Sequence, residues 1–307
     1  MSGAREPLEL WAFTAPWDPA SDAAVHAHGA ELDVIVTGWI ALDSATALPI
    51  HPPLFADTVR PDSGTVQRMA LVTNWHADRF HAGTIRRLAS DPALLARASR
   101  AIVATADSAG YQGLVLDFET LERGDLDALL RVARSIADSA RARALQPIVV
   151  AVPALDTAAY PARRLLEVAD LLLVMLYDQH WMGSEPGPIS APHWVARALK
   201  LRLDEVEPQR LVAGLPTYGY RWRRGATTEI IGLANADSMA RAEGVALERD
   251  SATSTLRAVR EGEWELWVSD AELLRMLVGV VREAGVHRVA LWRLGQEDPA
   301  IWGGALR

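Results

Sequence analysis

Eight short apolar runs recur along the chain, at Leu10 to Thr14, Asp33 to Leu42, Arg68 to Asn74, Gly113 to Glu119, Pro147 to Ala154, Leu171 to Asp178, Leu211 to Tyr220 and Arg288 to Gly295. Between several of them lie stretches with the 3.6-residue period of amphipathic helices, clearest at Thr84 to Ala109, Asp125 to Ala144, Ala162 to Ala169, His193 to Leu203 and Asp270 to Ala284. Runs that are apolar almost throughout suit strands covered on both faces, as in a parallel sheet wrapped by helices. Eight such units predict a closed (β/α)8 TIM barrel, an α/β fold, as the single domain of residues 8–307. An open doubly wound sheet is the structural rival, but no Gly-rich phosphate-binding turn follows any of the runs.

Two segments break the alternation. Asp43 to Gln67 carries Pro49, Pro52, Pro53 and Pro61 and has no helical period, which predicts a long loop over one end of the barrel. Arg221 to Ser269 is too long for one barrel helix and predicts a small α+β lobe, residues 221–269, inserted between strands 7 and 8. Within it Ile231 to Glu243 reads as a helix, and Thr255 to Val259 with Glu263 to Val268 as a hairpin about Glu261-Gly262.

Composition narrows the function. Half of the 307 residues are hydrophobic, enough for one large core. The formal charge of −8, without a basic stripe, argues against nucleic acid as a partner. With no cysteine there is no disulfide, thiolate metal site or cysteine nucleophile. No apolar run reaches the roughly 18 residues that a membrane span needs. Met1 to Glu9 lacks the pattern of a secretory signal, so the chain is read as cytoplasmic, or as extracytoplasmic if a leader has been removed. His26, His28, His76 and His81 lack a convincing carboxylate partner and are read as surface or packing residues; no metal or cofactor is expected. No G-x-S-x-G elbow anchors an esterase triad.

In a barrel the chemistry belongs at the C-terminal ends of the strands. There the fourth run delivers Asp117 and Glu119, the sixth Tyr177 and Asp178, the seventh Tyr218 and Tyr220, and the eighth Trp292, with Trp39 and Trp75 at or just beyond the second and third. A lone aromatic is usually packing. The convergence of several, in a chain with 11 tryptophans and only 4 phenylalanines, favours flat faces with polar handles, the kind that bind sugar rings. Alternation puts Gly113, Val115, Asp117 and Glu119 on one face and Leu114, Leu116 and Phe118 on the other. The acids then point inward, on the order of 6 to 7 Å apart along the backbone, close enough to shift each other's titration. A solvated strand end is the ordinary alternative.

These residues resemble glycoside hydrolase family 18, the chitinase-like barrels. Gln112-Gly113-Leu114-Val115-Leu116-Asp117-Phe118-Glu119 is similar to the family's D-G-x-D-x-D-x-E, with the last two acids matched. Met175-Leu176-Tyr177-Asp178 looks like its M-x-Y-D, Gly214-Leu215-Pro216-Thr217-Tyr218-Gly219 like its G-x-P-x-Y-G, and Trp292 falls where a tryptophan underlies the reacting sugar. The similarity runs from about Leu10 to Trp302. It is strongest to the bacterial branch of spore-cortex-lytic glucosaminidases and of hydrolase modules joined to deacetylase or glycosyltransferase domains, through Ala15-Pro16-Trp17-Asp18, Tyr177 to Trp181, Pro186-Gly187-Pro188 and Trp292 to Asp298.

The resemblance implies substrate-assisted, retaining cleavage of a β-linked N-acetylglucosamine polymer. Glu119 would be the acid/base, Asp117 would orient the substrate's acetamido group, and Tyr177 would donate a hydrogen bond to it. Asp178, Trp292, Tyr218, Trp39, Tyr220 and His180 are the candidate substrate-binding residues. A polysaccharide or oligosaccharide is the implied partner, with the chain standing alone or as one module of a larger polysaccharide enzyme. Gln112 and Val115 depart from the family pattern, and Val115 removes the carboxyl that would share a proton with Asp117. Asp117 is therefore expected to stay ionised, held by hydrogen bonds and by proximity to Glu119, with slower or narrower activity as the outcome. Two alternatives remain: a carbohydrate-binding barrel without turnover, and a two-carboxylate glycosidase using Asp178 as its second acid.

Overall fold

In the structure, a computed structural model, residues 7–50 and 65–307 are described. Residues 51–64 of the expected proline-rich loop, with Pro52, Pro53 and Pro61, lie outside them. Eight parallel strands close a barrel: β1 (Glu9–Phe13), β2 (Val34–Ala41), β3 (Gln67–Thr73), β4 (Gly113–Asp117), β5 (Ile148–Pro153), β6 (Leu171–Met175), β7 (Leu211–Pro216) and β8 (Arg288–Trp292). Each pairs with its neighbours in chain order, and β1 closes on β8 with Glu9 opposite Arg288.

Side-chain alternation divides the apolar residues between two cores. Trp11, Val36, Leu71, Val115, Val149, Leu173 and Val212 fill the barrel interior. Leu114, Leu116 and Phe118 pack outward in the shell that also holds Ile102 and Ile136 of the surrounding helices. The inward face of β4 is therefore the one that carries Val115 and Asp117.

The helices are α1 (Pro19–His28), α2 (Ala82–Ser90), α3 (Pro92–Ser108), α4 (Leu126–Arg141), α5 (Ala162–Leu165), α6 (Pro192–Leu203), α7 (Leu233–Ala242) and α8 (Ala271–Glu283). The single helix expected over Thr84 to Ala109 is two, because Asp91 leaves helical geometry and caps α3, accepting from the amides of Ala93 and Leu94 at 3.0 and 2.9 Å, with Pro92 as the first helical residue. Among the described residues no helix is long and apolar enough to cross a membrane.

One irregularity re-aims a side chain at the site. The β2–β3 register shifts between Val36 and Trp39, and Gly38 there has φ +70°. A Cβ on Gly38 would lie 1.8 Å from the Tyr111 hydroxyl, so only glycine fits. Strict alternation from Val34 and Val36 would turn Trp39 outward; the bulge restores it to the inner face.

The inserted lobe begins earlier than the sequence pattern implies. β7 ends at Pro216, and Gly219–Arg223 is already a strand of an antiparallel sheet whose other members are Glu229–Ile231, Trp264–Val268, Leu256–Arg260 and Glu248–Arg249. Tyr218 and Tyr220 thus belong to the junction and the lobe, not to the end of β7. α7 covers the sheet through Ala236 and Ala240. Trp222, Trp267 and the two tyrosines form the seam against which Tyr177 and Trp292 pack.

Candidate active site

The C-terminal mouth of the barrel holds a cavity of about 510 Å³. Its floor and walls include Asp117 from the end of β4, Glu119 two residues on, Tyr177 and Asp178 after β6, Trp292 ending β8, and Trp39 from the bulged β2. These six residues, singled out from the sequence, come together. The other three do not line it. Tyr218 and Tyr220 are buried behind Asp178 and donate hydrogen bonds to its Oδ1 at 2.5 and 2.9 Å. His180 lies in the loop after β6, where Nδ1 meets the Glu185 carbonyl at 3.0 Å and the ring packs over Gly187.

The aromatic floor is layered. Tyr177 stacks on Trp292 with centroids 6.2 Å apart and planes 13° apart, Phe13 meets Trp292 edge-on at 5.3 Å, and Trp39 lies 6.2 Å from Trp292. The Trp39 indole N–H donates to the Thr14 carbonyl at 3.3 Å, which fixes the ring at the mouth. Exposed Trp17 joins Trp39 edge-on at 4.8 Å. Trp75 and Phe80, also edge-on at 4.9 Å, line the cavity from a small hairpin that follows β3.

Carboxylate chemistry here is set by burial. Asp117 is 8% exposed and its Oδ1 has no hydrogen-bond partner among the described residues. Loss of water disfavours its charged form and raises it from the ordinary 3.8 to about 7. The expectation that Asp117 stays ionised through hydrogen bonds is thereby corrected: no such bond to it is found among the described residues, and Val115 supplies hydrocarbon instead. Glu119 is pushed well above the usual carboxyl range, first by burial and then by the charges of Asp117 and Asp178. Asp178 meets solvent through the cavity, yet the protein crowding it raises its carboxyl, opposed by the two phenols. Burial also raises Tyr177, so its phenol keeps the proton it would donate.

Three residues that sequence reasoning passed over hold this arrangement. Asn74, fully buried just after β3, accepts from the Glu119 amide through Oδ1 and donates to the Glu119 carbonyl through Nδ2, both at 3.0 Å. The Tyr160 hydroxyl donates to the Phe118 carbonyl at 2.8 Å and accepts from the Leu121 amide at 3.3 Å. Arg202 of α6, also fully buried, donates to the carbonyls of Tyr160, at 2.7 Å, Asp156, at 3.1 Å, and Pro153. An amide closing an apolar strand run, as at Asn74, was a legible signal. A tyrosine in a loop and an arginine on a helix were not.

Among the described residues no group of three or more His, Cys, Asp or Glu is arranged to hold a metal ion. Of the four histidines read as packing or surface residues, three serve local contacts, and His28, read as lacking a carboxylate partner, meets the Glu31 carboxyl at 3.1 Å through Nδ1. His28 stacks on Trp302 at 4.5 Å, His76 meets the Ser44 hydroxyl at 2.9 Å, and His81 meets the His76 carbonyl at 2.9 Å; His26 is exposed.

No family model matches the chain. In sequence it is 24% identical over 243 residues to the sporulation-specific glycosylase candidate YdhD of Bacillus subtilis, covering 75% of this chain. The chain spans only 58% of that relative's length. In structure it superposes on the spore cortex-lytic enzyme SleL of Bacillus cereus with a TM-score of 0.84 at 19% identity, over 100% of this chain and 75% of that one. A class V chitinase from Pseudomonas fluorescens gives a TM-score of 0.84 at 22% identity, over 97% of this chain and 98% of its own. With eight parallel strands closed in chain order and two acids turned into the mouth from β4 and its extension, the chain has the (β/α)8 barrel fold of the cortex-lytic and chitinase structures to which it is similar.

Proposed function

We propose that the chain is a glycoside hydrolase that cleaves β-linked, N-acetylglucosamine-containing glycans by substrate-assisted, retaining catalysis. One observation carries the reading: Glu119, Asp117, Tyr177 and Trp292 line a single aromatic cavity, in which desolvation pushes the Glu119 carboxyl well above its usual range and so favours its protonated form. Protonated Glu119 gives that proton to the glycosidic oxygen as its bond to C1 breaks. The substrate's acetamido carbonyl oxygen forms the new bond to C1, while Asp117 accepts from the acetamido N–H and Tyr177 donates to the carbonyl oxygen. Water then attacks C1, the acetamido oxygen leaves, and the Glu119 carboxylate takes the water's proton. Trp292 offers the apolar face on which the sugar lies, and Asp178 holds a hydroxyl of it.

Glu119→Gln should abolish release from a chromogenic chito-oligosaccharide and leave calorimetric binding of the unlabelled sugar intact. Undiminished release by that variant removes the reading. A barrel that binds glycans without turning them over is the second reading, favoured by Val115 in the barrel core beside an Asp117 oxygen that lacks a partner. It predicts the same binding with no release by the unaltered chain.

A further inference from the structure

Two motifs that the sequence singled out, Ala15 to Asp18 and Trp292 to Asp298, meet where the barrel closes between β1 and β8. Asp18 is their junction. Its Oδ2 accepts from the Arg293 guanidinium at 2.7 Å and from the Gln296 side-chain amide at 3.3 Å, while its Oδ1 accepts from the Ala20 amide at 3.0 Å and caps α1. The pair is largely out of water, with Arg293 12% and Asp18 18% exposed. Gly295, at φ +94°, lets the turn after β8 sit against α1: a Cβ there would lie 2.6 Å from the Ser21 amide nitrogen.

The floor beside this junction is held by backbone bonds. The Thr217 amide donates to the Trp292 carbonyl at 2.9 Å, the Thr217 hydroxyl to the Arg293 carbonyl at 2.5 Å, and the Leu294 amide to the Phe13 carbonyl at 3.0 Å. What the Arg293 guanidinium reaches is Trp17, whose ring it overlies at 5.6 Å. Trp17 is exposed, lines the cavity and meets Trp39 edge-on at 4.8 Å, whereas Arg293 is not part of the lining. A cation within about 6 Å of an indole centroid is attracted to its face. An exposed indole has several staggered rotamers open to it, and a fixed cation selects the one that faces it. Asp18 supplies the fixing, because a charge-assisted bond holds the long arginine side chain in one place.

We propose that Arg293, anchored by Asp18, is a positioning residue that holds Trp17 as a second aromatic wall for the glycan, beside the floor of Trp292. It acts on affinity through the ring and does not touch the sugar. This rests on the hydrolase reading, which places a glycan in the cavity. Affinity scales with the fraction of molecules whose wall is in place, so the loss on removing the cation is bounded by the strength of its hold on the ring.

The test is calorimetric binding of a chito-oligosaccharide to the full chain carrying Glu119→Gln, alone and with Trp17→Ala, Arg293→Met or both. Trp17→Ala should weaken binding several-fold. Arg293→Met should weaken it by about 2-fold to 5-fold, the range that a cation on an exposed aromatic face allows, and should cost nothing further once Trp17 is gone. A purely structural role would lower the melting temperature and leave this coupling absent. Unchanged binding by Arg293→Met, or the same fold-loss with and without Trp17, overturns the inference. If Arg293→Met does not fold, Asp18→Asn, which keeps an acceptor for the Ala20 amide, is judged by the same two criteria. Product release by the unaltered chain is scored separately. Release without the coupling leaves the hydrolase reading standing and removes this role; the coupling without release leaves the role as a property of glycan binding and removes the hydrolase reading. A parent chain that does not bind the sugar overturns both.

Discussion

Asn74 shows how a single amide can set the aim of a carboxyl it never touches, that of the proposed acid/base Glu119. Its side chain closes on both backbone groups of Glu119, so the residue is held at its peptide bonds while the carboxyl remains free to face the cavity. Asn74→Ala leaves a buried N–H and a carbonyl without partners, a loss of about 1–3 kcal/mol for each unsatisfied group. The expected result is a kcat lowered by about 10-fold to 100-fold through misplacement of Glu119, with KM changed little. Steady-state kinetics on a chito-oligosaccharide checks it, and a change confined to KM or to stability would sink the positioning role. Glu119 and Asp117 themselves were legible, because period-2 alternation needs only neighbouring residues to put both acids on the face of Val115.

At the scale of elements, the lobe is tied to the site through one crowded glycine. Gly219 pairs with Val268 across the lobe sheet, and a Cβ there would come within 2.0 Å of the Trp267 carbonyl and 2.5 Å of the Val268 backbone. Backbone cannot yield as a flexible side chain would, so Gly219→Ala should cost about 1–3 kcal/mol by overpacking. Because Tyr218 and Tyr220 flank this position and hold Asp178, glycan binding by the same variant should weaken as well. Thermal unfolding and calorimetry check the pair of outcomes; unchanged binding in a destabilised chain would mean that the lobe does not support Asp178. The hairpin within the lobe was readable from its Glu261-Gly262 turn, whereas its first strand was not. Leu211 to Tyr220 reads as one continuous apolar run, and only pairing of its end with Glu229–Ile231 and Trp264–Val268 divides it.

For the whole molecule, the desolvation that raises Asp117 and Glu119 makes the fold pH-dependent. Asp117 rises from an ordinary 3.8 to about 7. Between those values the folded chain keeps a proton that the unfolded chain has lost, so the unfolded state binds fewer protons and stability falls as pH rises. Below about 4 both states are protonated and the effect vanishes; above about 7 the penalty, on the order of a few kcal/mol, is complete. Asp117→Asn should therefore raise the unfolding temperature by several degrees at pH 8 and leave it little changed at pH 4. Melting curves at the two pH values check this, and equal shifts at both would show that desolvation of the Asp117 charge is not the cause. Glu119 adds a contribution of the same sign.

By itself the sequence determined the closed eight-stranded architecture, the inward face of β4 and the acids it carries. Those features follow from local periodicity: an apolar run between amphipathic helices can be covered on both sides in few ways, and alternate residues must share a face. Tertiary structure alone decided that Trp39 turns into the mouth, because the bulge answers to Tyr111 crossing Gly38 from 73 residues along the chain. It alone decided that Tyr218 and Tyr220 support Asp178 from behind and leave the cavity wall to Tyr177. The titration of Asp117 likewise waited on the fold, since a carboxyl's charge depends on which distant atoms exclude water from it and which offer it a hydrogen bond.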